Sequence, residues 1–377
     1  MGEKGWSILK EAKRIVVKVG SSTLTYPTGK LNLHQLERLV RELADLKNRG
    51  LEIILVTSGA VGAGMGKLGF EEKPKNIPEK QALAAIGQGI LMHLYEKIFS
   101  EYGKTVAQVL LTREDLTNRD RFLNARNTLL TLLRLGVLPI INENDTVAYE
   151  EIKFGDNDTL AALVAGLIDA DIVVLLSDID GLYTADPRKN PTAQLIEVVE
   201  EMTPELLELA GGTGTKLGSG GMMTKLQAAK IASNSGIPLV VLNGAREGAL
   251  QEIVDGINPG TLFIPREQHH LKTRKTWIAF ASKANGKIFI DGGAEKAIIE
   301  KGKSLLPSGI TQVEGDFKHG SVVSVVGQAG EIAKGIVNYA AGEIEKLKGC
   351  QSKDIAKILG YKDYDEVIHR DNLTLKV

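Results

Sequence analysis

The sequence is short of the residues that build disulfides and metal sites, with one cysteine and six histidines in 377 residues. Because a disulfide needs two cysteines, no intrachain bridge can form, which favours a reducing cytoplasm. The histidines do not follow the spacings of known metal motifs, so no metal-ligating residues are predicted. Neither a G-x-S-x-G elbow nor a G-x-x-x-x-G-K-[ST] loop occurs, which argues against hydrolase-elbow and P-loop chemistry.

Long apolar runs and a strong charge of either sign are missing as well. No stretch approaches the ~20 apolar residues of a membrane span, and the amino terminus has no apolar signal-peptide core. The formal net charge is -1 and the isoelectric point is near 6.6, whereas proteins built mainly to neutralise nucleic-acid phosphates are basic. We therefore expect no membrane partner and give RNA binding little weight.

The composition that remains is ordinary for a globular protein, at 43% hydrophobic and 25% charged residues. The length suits two domains of roughly 100–200 residues each. In the first two-thirds, apolar β-branched runs alternate with helical patterns. Such runs are typical of parallel strands covered on both faces, so the pattern predicts an α/β fold, a three-layer αβα sandwich with a mainly parallel sheet. The predicted strands are Ile15–Val19, Ile53–Val56, Val106–Leu111, Val137–Ile141 and Ile172–Leu176.

The pattern changes near residue 265. A polar stretch predicts a linker at 266–275, which separates a first domain at 1–265 from a second at 276–377. Short strand-like runs between glycine-rich turns predict that the second domain is small and mostly β. These runs are Trp277–Phe280, Lys287–Ile290, Val322–Val326 and Ile332–Val337. From residue 272 onward Lys and Arg exceed Asp and Glu by four, and no aromatic platform for base stacking stands out.

Two lysines stand beside glycine and hydroxyl residues. Lys18 falls inside the first predicted strand, where a buried ammonium group costs several kcal/mol unless an anion meets it; an edge lysine that reaches solvent is the alternative. Lys225 lies in the stretch GSGGMMTKLQAAK, residues 218–230, at a predicted helix start. Backbone N–H groups and the helix dipole favour a phosphate there, and a flexible loop before a surface helix is the alternative.

A phosphoryl group between these lysines would explain both. Phosphoryl transfer depends on positioning and charge neutralisation, which two lysines and Mg²⁺ supply. Two ammonium groups ~8 Å apart repel by about 2 kcal/mol at an effective dielectric of 20. We therefore expect a carboxylate between Lys18 and Lys225, and Asp158 is the candidate.

Glycines follow the second predicted strand, from Gly59 to Gly69. We discount the dinucleotide-binding pattern of Gly64, Gly66 and Gly69, because it begins several residues after the strand. We expect instead a glycine loop whose amides approach a small anionic ligand, with Ser58 at its mouth. A merely tight turn is the alternative.

Polar clusters follow the fourth and fifth strands, near the edge where such sheets bind ligands. Asn142–Asp145 and Lys153–Asp158 suit the groups of an amino-acid zwitterion, although turns and a helix cap at Asp156 or Asn157 are alternatives. The residues Ser177-Asp178 and the loop 181–187 could hold a nucleotide base and ribose. A structured turn is the alternative, and the residue types alone do not decide between the two.

Together these motifs resemble the amino acid kinase family, most closely its members that phosphorylate glutamate and carry a C-terminal PUA domain. The resemblance covers nearly the whole chain. It implies phosphorylation of the side-chain carboxylate of L-glutamate by ATP with Mg²⁺, giving L-glutamyl 5-phosphate, the first step toward proline. The motifs that carry it are Val17–Ser21, Thr57–Val61, Ile141–Asp145, Gly155–Asp158, Gly181–Pro187 and Gly220–Leu226.

The resemblance also implies residue roles and partners. Lys18 and Lys225 would contact the phosphates while Asp158 orders both lysines. The residues implied to bind glutamate are Ser58, Asp145 and Asn157. Those implied to bind ATP are Lys18, Ser177, Asp178, Ser219, Gly220, Gly221, Met222, Met223, Thr224 and Lys225. Further implications are a homo-oligomer, either dimer or tetramer, and feedback inhibition by proline.

Two alternatives stay open. A sibling kinase acting on aspartate, acetylglutamate, carbamate or UMP would use the same lysines and glycines, although the Asn/Asp clusters and the second domain favour glutamate. An RNA-binding or regulatory protein that acts through the PUA-like domain is the weaker alternative, because the positive excess there is mild.

Overall fold

The computed structural model describes residues 6, 8–26, 28, 30–72, 74–148, 157–187, 190–203, 206, 221–265, 284–328 and 330–375. The chain divides into two compact units, the first built mainly from residues up to His270 and the second mainly from Leu271 onward. The predicted linker 266–275 lies outside the described residues, so the domain boundaries stay a prediction. Among the described residues, no helix is both long enough and apolar enough to cross a membrane.

Eight strands of the first unit form one sheet in the order β3-β4-β2-β1-β5-β7-β8-β6, counted over the described residues. All neighbouring strands are parallel except β7 and β8. The strands are β1 Arg14–Val19, β2 Glu52–Val56, β3 Val106–Leu111, β4 Leu138–Glu143, β5 Ile172–Ser177, β6 Val198–Val199, β7 Leu239–Asn243 and β8 Gly260–Phe263. The mainly parallel α/β fold is therefore confirmed.

The five strands predicted from apolar runs are all present, within one or two residues of the expected bounds. Four of them are buried along most of their length because helices cover the sheet, whereas β3, at the edge of the sheet, is mostly half-buried. Strand β7 was not predicted, although its Leu-Val-Val-Leu run is as apolar as the others. The short β6 and the antiparallel β8 were not predicted either.

Helices connect these strands. They are α1 Ser21–Leu24, α2 Leu33–Asn48, α3 Ala60–Leu68, α4 Ile77–Glu101, α5 Arg113–Thr117, α6 Arg119–Arg134, α7 Asn157–Ile168, α8 Met222–Asn234 and α9 Ala249–Val254, with a 3-10 turn at Ile8–Glu11. The side chain of Asn32 caps α2 by accepting from Gln35 N, and that of Asn76 caps α4 by accepting from Glu79 N. Helix α7 is buried on nearly every side, which its alanine- and leucine-rich sequence permits.

The second unit contains a mostly antiparallel sheet in the order β10-β9-β11-β12-β13. Three of the four predicted runs are strands there, and the fourth, Trp277–Phe280, lies outside the described residues. The strands are β9 Lys287–Ile290, β10 Ile310–Glu314, β11 Val322–Gly327, β12 Gly330–Ile336 and β13 Leu373–Leu375. The helices are α10 Gly292–Ile299, α11 Ala341–Leu347 and α12 Ile355–Leu359, with 3-10 turns at Pro307–Gly309, Ser352–Asp354 and Arg370–Asn372.

Strand order in the first sheet determines where polar groups gather. Strand β1 lies between β2 and β5, and Lys18 is in register with Val56 and Leu175. Because β1, β2, β4, β5 and β7 are parallel, the residues that follow them emerge at one edge, the usual ligand edge of such sheets.

Candidate functional site

Three charged side chains meet in the interior of the first unit. The Lys18 Nζ lies 2.7 Å from Asp158 Oδ1, and the Lys225 Nζ lies 3.1 Å from Asp158 Oδ2. Lys18 is 8% exposed, Lys225 5% and Asp158 1%. The carboxylate thus bridges two ammonium groups that come from a central strand and from the first turn of α8, and the trio keeps one net positive charge.

Neighbouring charges fix the protonation state of Asp158. Burial alone would raise the pKa of this carboxyl, but the charges of Lys18 and Lys225 and hydrogen bonds from Lys18 and Thr224 hold the pKa below its usual value. Asp158 is therefore ionised at neutral pH. Its single negative charge balances one of the two lysines. Burying the second ammonium group costs free energy unless an anionic ligand binds beside it.

Helix α8 begins at this cluster. Its N-cap Gly221 has extended backbone and supplies no side-chain cap, so the first N–H groups of the helix have no capping side chain. The Thr224 hydroxyl lies 2.9 Å from Asp158 Oδ2 and 2.8 Å from the Gly221 carbonyl oxygen. These contacts hold the amino-terminal turn of α8, with its partial positive charge, beside the two lysines.

A network of amide side chains lies where β2, β4 and α7 meet. Asn157 Nδ2 contacts three acceptors, the Thr57 carbonyl oxygen at 2.7 Å, Ser58 Oγ at 2.8 Å and Asn142 Oδ1 at 3.0 Å. Ser58 and Asn157, both predicted to bind the amino-acid substrate, are thus in direct contact. Because Asp158 follows Asn157 in α7, this network adjoins the lysine cluster.

Asp145, just beyond the end of β4, differs from the other carboxylates. It is half-buried, and within the described ranges its carboxylate has no hydrogen-bond or ion-pair partner. Burial raises the pKa of Asp145 to about 6. A carboxylate of this kind favours a cationic ligand, because such a ligand would return the charge stabilisation lost to burial.

The predicted nucleotide residues are only partly described. Ser177 is the buried last residue of β5 and its hydroxyl lies 3.2 Å from Asp178 Oδ1. Met222, Met223 and Thr224 form the first turn of α8. Ser219, Gly220 and Asp156 lie outside the described residues.

The loop after β5 is a structured turn where it is described. Asp180 accepts hydrogen bonds from Asn243 Nδ2 and from the Tyr183 hydroxyl, each at 2.9 Å. Tyr183 also pairs with Leu195 in an isolated antiparallel bridge. The structured-turn alternative is therefore observed, and a nucleotide role for this loop stays a prediction.

The expected glycine loop after Ser58 is wrong. Only Gly59, with φ 96°, lies ahead of helix α3, which begins at Ala60. A Cβ on Gly64 would lie 2.0 Å from the Leu83 carbonyl oxygen, and one on Gly87 would lie 1.7 Å from the Ala60 carbonyl oxygen. These glycines therefore let α3 and α4 pack backbone to backbone, and they do not form a loop around a ligand.

Gln88 in α4 also lies beside the amide network and was not predicted. Its Oε1 accepts a hydrogen bond of 2.8 Å from Asn142 Nδ2, which joins Gln88 to the amide network. No local motif marks Gln88, since its contact with Asn142 depends on how α4 packs. In the part of the chain that the structure describes, no three His, Cys, Asp or Glu side chains gather as a metal ion requires.

Comparisons with known proteins find relatives along nearly the whole chain. The sequence profile of the amino acid kinase family matches residues 13–243, and that of the PUA domain matches residues 286–359. The glutamate 5-kinase of Thermoanaerobacter sp. (strain X514) is 60% identical over 363 residues, 96% of this chain and 97% of the relative. That of Moorella thermoacetica is 58% identical over 366 residues, 97% of each chain. That of Geobacter sulfurreducens is 51% identical over 369 residues, 98% of this chain and 99% of the relative.

Proposed function

The chain belongs to the amino acid kinase family, and on that premise we propose that it is a glutamate 5-kinase. The reaction transfers the γ-phosphoryl group of ATP to the side-chain carboxylate of L-glutamate and yields ADP and L-glutamyl 5-phosphate, the first step toward proline. Relatives that match nearly end to end carry this name.

The observation that best supports this function is the buried Lys18–Asp158–Lys225 cluster. Its net positive charge suits a phosphate-bearing ligand, because transferring phosphoryl groups need positioned cations more than covalent help. Asp158 holds both lysines and limits their mutual repulsion, so that neither has to be ordered by the substrate.

The chemical step needs no protein nucleophile. An oxygen of the glutamate side-chain carboxylate attacks the γ-phosphorus, the bond to the bridging oxygen of ADP breaks, and ADP leaves with the electron pair. Lys18 and Lys225 stabilise the charge on the migrating group and on the leaving phosphate. Their role is to bind and orient, which the buried geometry prepares in advance.

We assign glutamate to the adjoining amide network. The carboxylate of Asp145 would pair with the substrate ammonium group, while Ser58 and Asn157 hydrogen-bond to substrate oxygens. For ATP, we assign the segment Ser219 to Lys225 to the phosphates, where glycines and the α8 terminus suit an anion. Ser177 and Asp178 would contact the nucleotide at the end of β5.

Mg²⁺ belongs to the proposal through ATP. Mg²⁺ in such sites is held largely by phosphate oxygens and water, with one or two carboxylates at most. The donor set around the phosphates is cationic, and the Asp158 oxygens already face the two lysines, so these residues fit the phosphates better than the metal. When bound, Mg²⁺ supplies charge neutralisation; the lysines position the phosphates.

Three further proposals rest on the sequence. The single cysteine favours the cytoplasm, and the resemblance implies that the protein forms a homo-oligomer and that proline inhibits it near the glutamate site. Sedimentation of the purified protein tests the second. Inhibition of initial rates by proline at low and high glutamate tests the third, since competition predicts weaker inhibition at high glutamate.

The function is tested by substrate choice. Purified protein with ATP and MgCl₂ is offered L-glutamate, aspartate, acetylglutamate, carbamate and UMP, and ADP release is measured. We expect release with glutamate at a rate well above every other acceptor. Release with another acceptor and none with glutamate would overturn the specificity while leaving kinase chemistry intact.

A further inference from the structure

Gln88 lies beside the proposed glutamate site although no motif marks it. It follows Gly87, where a Cβ would lie 1.7 Å from the Ala60 carbonyl oxygen. The α4 backbone therefore touches the first residue of α3 at this turn, two positions after Ser58. This packing fixes where the Gln88 side chain starts, on rigid helices instead of a loop.

The carbonyl oxygen of Gln88 sets the orientation of Asn142. Asn142 is 2% exposed, and its Nδ2 donates to Gln88 Oε1 at 2.8 Å. Its Oδ1 then accepts from Asn157 Nδ2 at 3.0 Å and from the Glu143 backbone N–H at 2.9 Å. If the Asn142 amide were flipped, its NH₂ group would face the N–H donors of Asn157 and Glu143, and no hydrogen bond could form there. The hydrogen bonds from Gln88 to Asn157 therefore allow only one orientation of the Asn142 amide.

The amide nitrogen of Gln88 is different. Its Nε2 is buried and has no hydrogen-bond partner among the described residues. Buried donors are paired in the great majority of cases, and an unpaired one calls for an explanation such as a missing ligand. Gln88 Oε1 joins the network that contains Asn157 and Ser58, the residues proposed to bind glutamate. An oxygen of the bound substrate is therefore the acceptor that best explains the unpaired Nε2.

We propose that Gln88 is a specificity-determining residue of the glutamate site. Its Oε1 orients Asn142 and, through it, Asn157, while its Nε2 donates to a carboxylate oxygen of the bound amino acid. This inference rests on the proposed function. It adds a donor that recognises the amino acid and takes no part in binding ATP.

Two substitutions separate the two ends of the side chain. Gln88→Met keeps the length and removes both polar atoms, whereas Gln88→Glu keeps an acceptor for Asn142 and replaces the donor with a negative charge. The matched control is Gln251→Met in α9, which removes an amide that contacts the Asp255 carboxylate at the surface. Initial rates give KM for glutamate, KM for ATP and kcat for each protein, and thermal melting checks folding.

We expect Gln88→Met to raise KM for glutamate about tenfold or more, since a hydrogen bond to a charged group is worth at least that factor. KM for ATP should stay within twofold, and Gln251→Met should match the wild type. Gln88→Glu should raise KM for glutamate further, because its carboxylate repels that of the substrate. Glutamate should also raise the melting temperature of either Gln88 variant less than that of the wild type.

Other results overturn the inference. An unchanged KM for glutamate in Gln88→Met would remove Gln88 from the site, and a wild-type KM in Gln88→Glu would show that Nε2 donates nothing to substrate. Equal rises in both KM values would show general damage. Failure of the proposed function is a separate result, because it is read from the wild type alone as an absence of glutamate-dependent ADP release.

Discussion

The ammonium group of Lys18 lies 2.7 Å from Oδ1 of Asp158, and both side chains are buried. The partner of Lys18 is thus set by the meeting of a central strand with the first turn of a buried helix. Because the Lys225 Nζ contacts the other oxygen of the same carboxylate, Asp158 pairs with both lysines. Removing the carboxylate should therefore change stability, whereas removing one lysine should change activity.

Replacing Asp158 with Asn should destabilise the protein strongly. The substitution leaves two buried lysines without a counter-charge, and breaking a buried pair in this way costs about 3–5 kcal/mol. Urea unfolding measures the loss. The control is Asp169→Asn, because Asp169 is half-exposed and pairs with Arg126 at the surface, where such pairs contribute about 0–1 kcal/mol. Equal, small losses in both variants would contradict the geometry.

Replacing Lys225 with Met should lower activity strongly while sparing the fold. The remaining Lys18–Asp158 pair is neutral, so we expect little change in the free energy of unfolding. Loss of a cation that stabilises the migrating phosphoryl group should lower kcat by about a hundredfold to a thousandfold. The control is Lys230→Met, an exposed lysine of the same helix, whose kcat should equal that of the wild type. A normal kcat in Lys225→Met would remove this lysine from catalysis.

The pKa of Asp145, raised by burial to about 6, predicts a pH dependence of glutamate binding. As the pH falls from 7 to 5, Asp145 gains a proton and loses the charge that would hold the substrate ammonium group. KM for glutamate should then rise about tenfold, while the glutamate side chain, with a pKa of about 4.3, stays mostly ionised. The same titration changes the stability of the protein in the opposite sense. The folded protein binds this proton more tightly than the unfolded chain does, so the free energy of unfolding increases as the pH falls through 6.

Asp145→Asn separates this effect from other titrations. Its KM for glutamate should be high and nearly constant from pH 5 to 7, because the titrating charge is gone. Initial-rate measurements at four or five pH values are sufficient. A variant that keeps the wild-type pH profile would show that another group titrates.

Gly64→Ala tests the close packing of α3 on α4. The added Cβ would lie 2.0 Å from the Leu83 carbonyl oxygen, so the helices must separate, and overpacking of this kind costs about 1–3 kcal/mol. Gly89→Ala in α4 is the matched control, since nothing lies within 4 Å of a Cβ there. It should stabilise the protein by about 0.5–1 kcal/mol, the helix preference of Ala over Gly. Urea unfolding of both variants should therefore give changes of opposite sign.

Five of the eight described strands of the first sheet were predictable, because buried central strands leave continuous apolar runs such as Ile172–Leu176. An anionic partner for Lys18 could also be predicted, because a lysine inside a buried apolar strand requires one. The glycines after Ser58 led to the wrong prediction of a loop, because glycine is used both in tight turns and in close helix packing. Which use applies depends on Leu83 and Ala60 in the facing backbones, and those contacts exist only in the folded chain.

Gln88 illustrates the remaining limit of sequence reasoning. In sequence it is an ordinary polar position of a long helix, and its contact with Asn142 of β4 depends on how α4 packs. The predicted site residues Ser58, Asn157 and Asp158, by contrast, each follow or begin an element that the apolar pattern predicts. Their convergence could be expected from the common edge of parallel strands.

The most direct test of the central claim is to trap the product. An acyl phosphate reacts with hydroxylamine, so purified protein with ATP, MgCl₂, L-glutamate and hydroxylamine should form the γ-glutamyl hydroxamate. Wild-type protein should form it steadily, and Lys225→Met should form it at least about a hundredfold more slowly. Absence of hydroxamate from active, folded wild-type protein, or equal rates for the two proteins, would contradict the claim that these paired lysines transfer a phosphoryl group to glutamate.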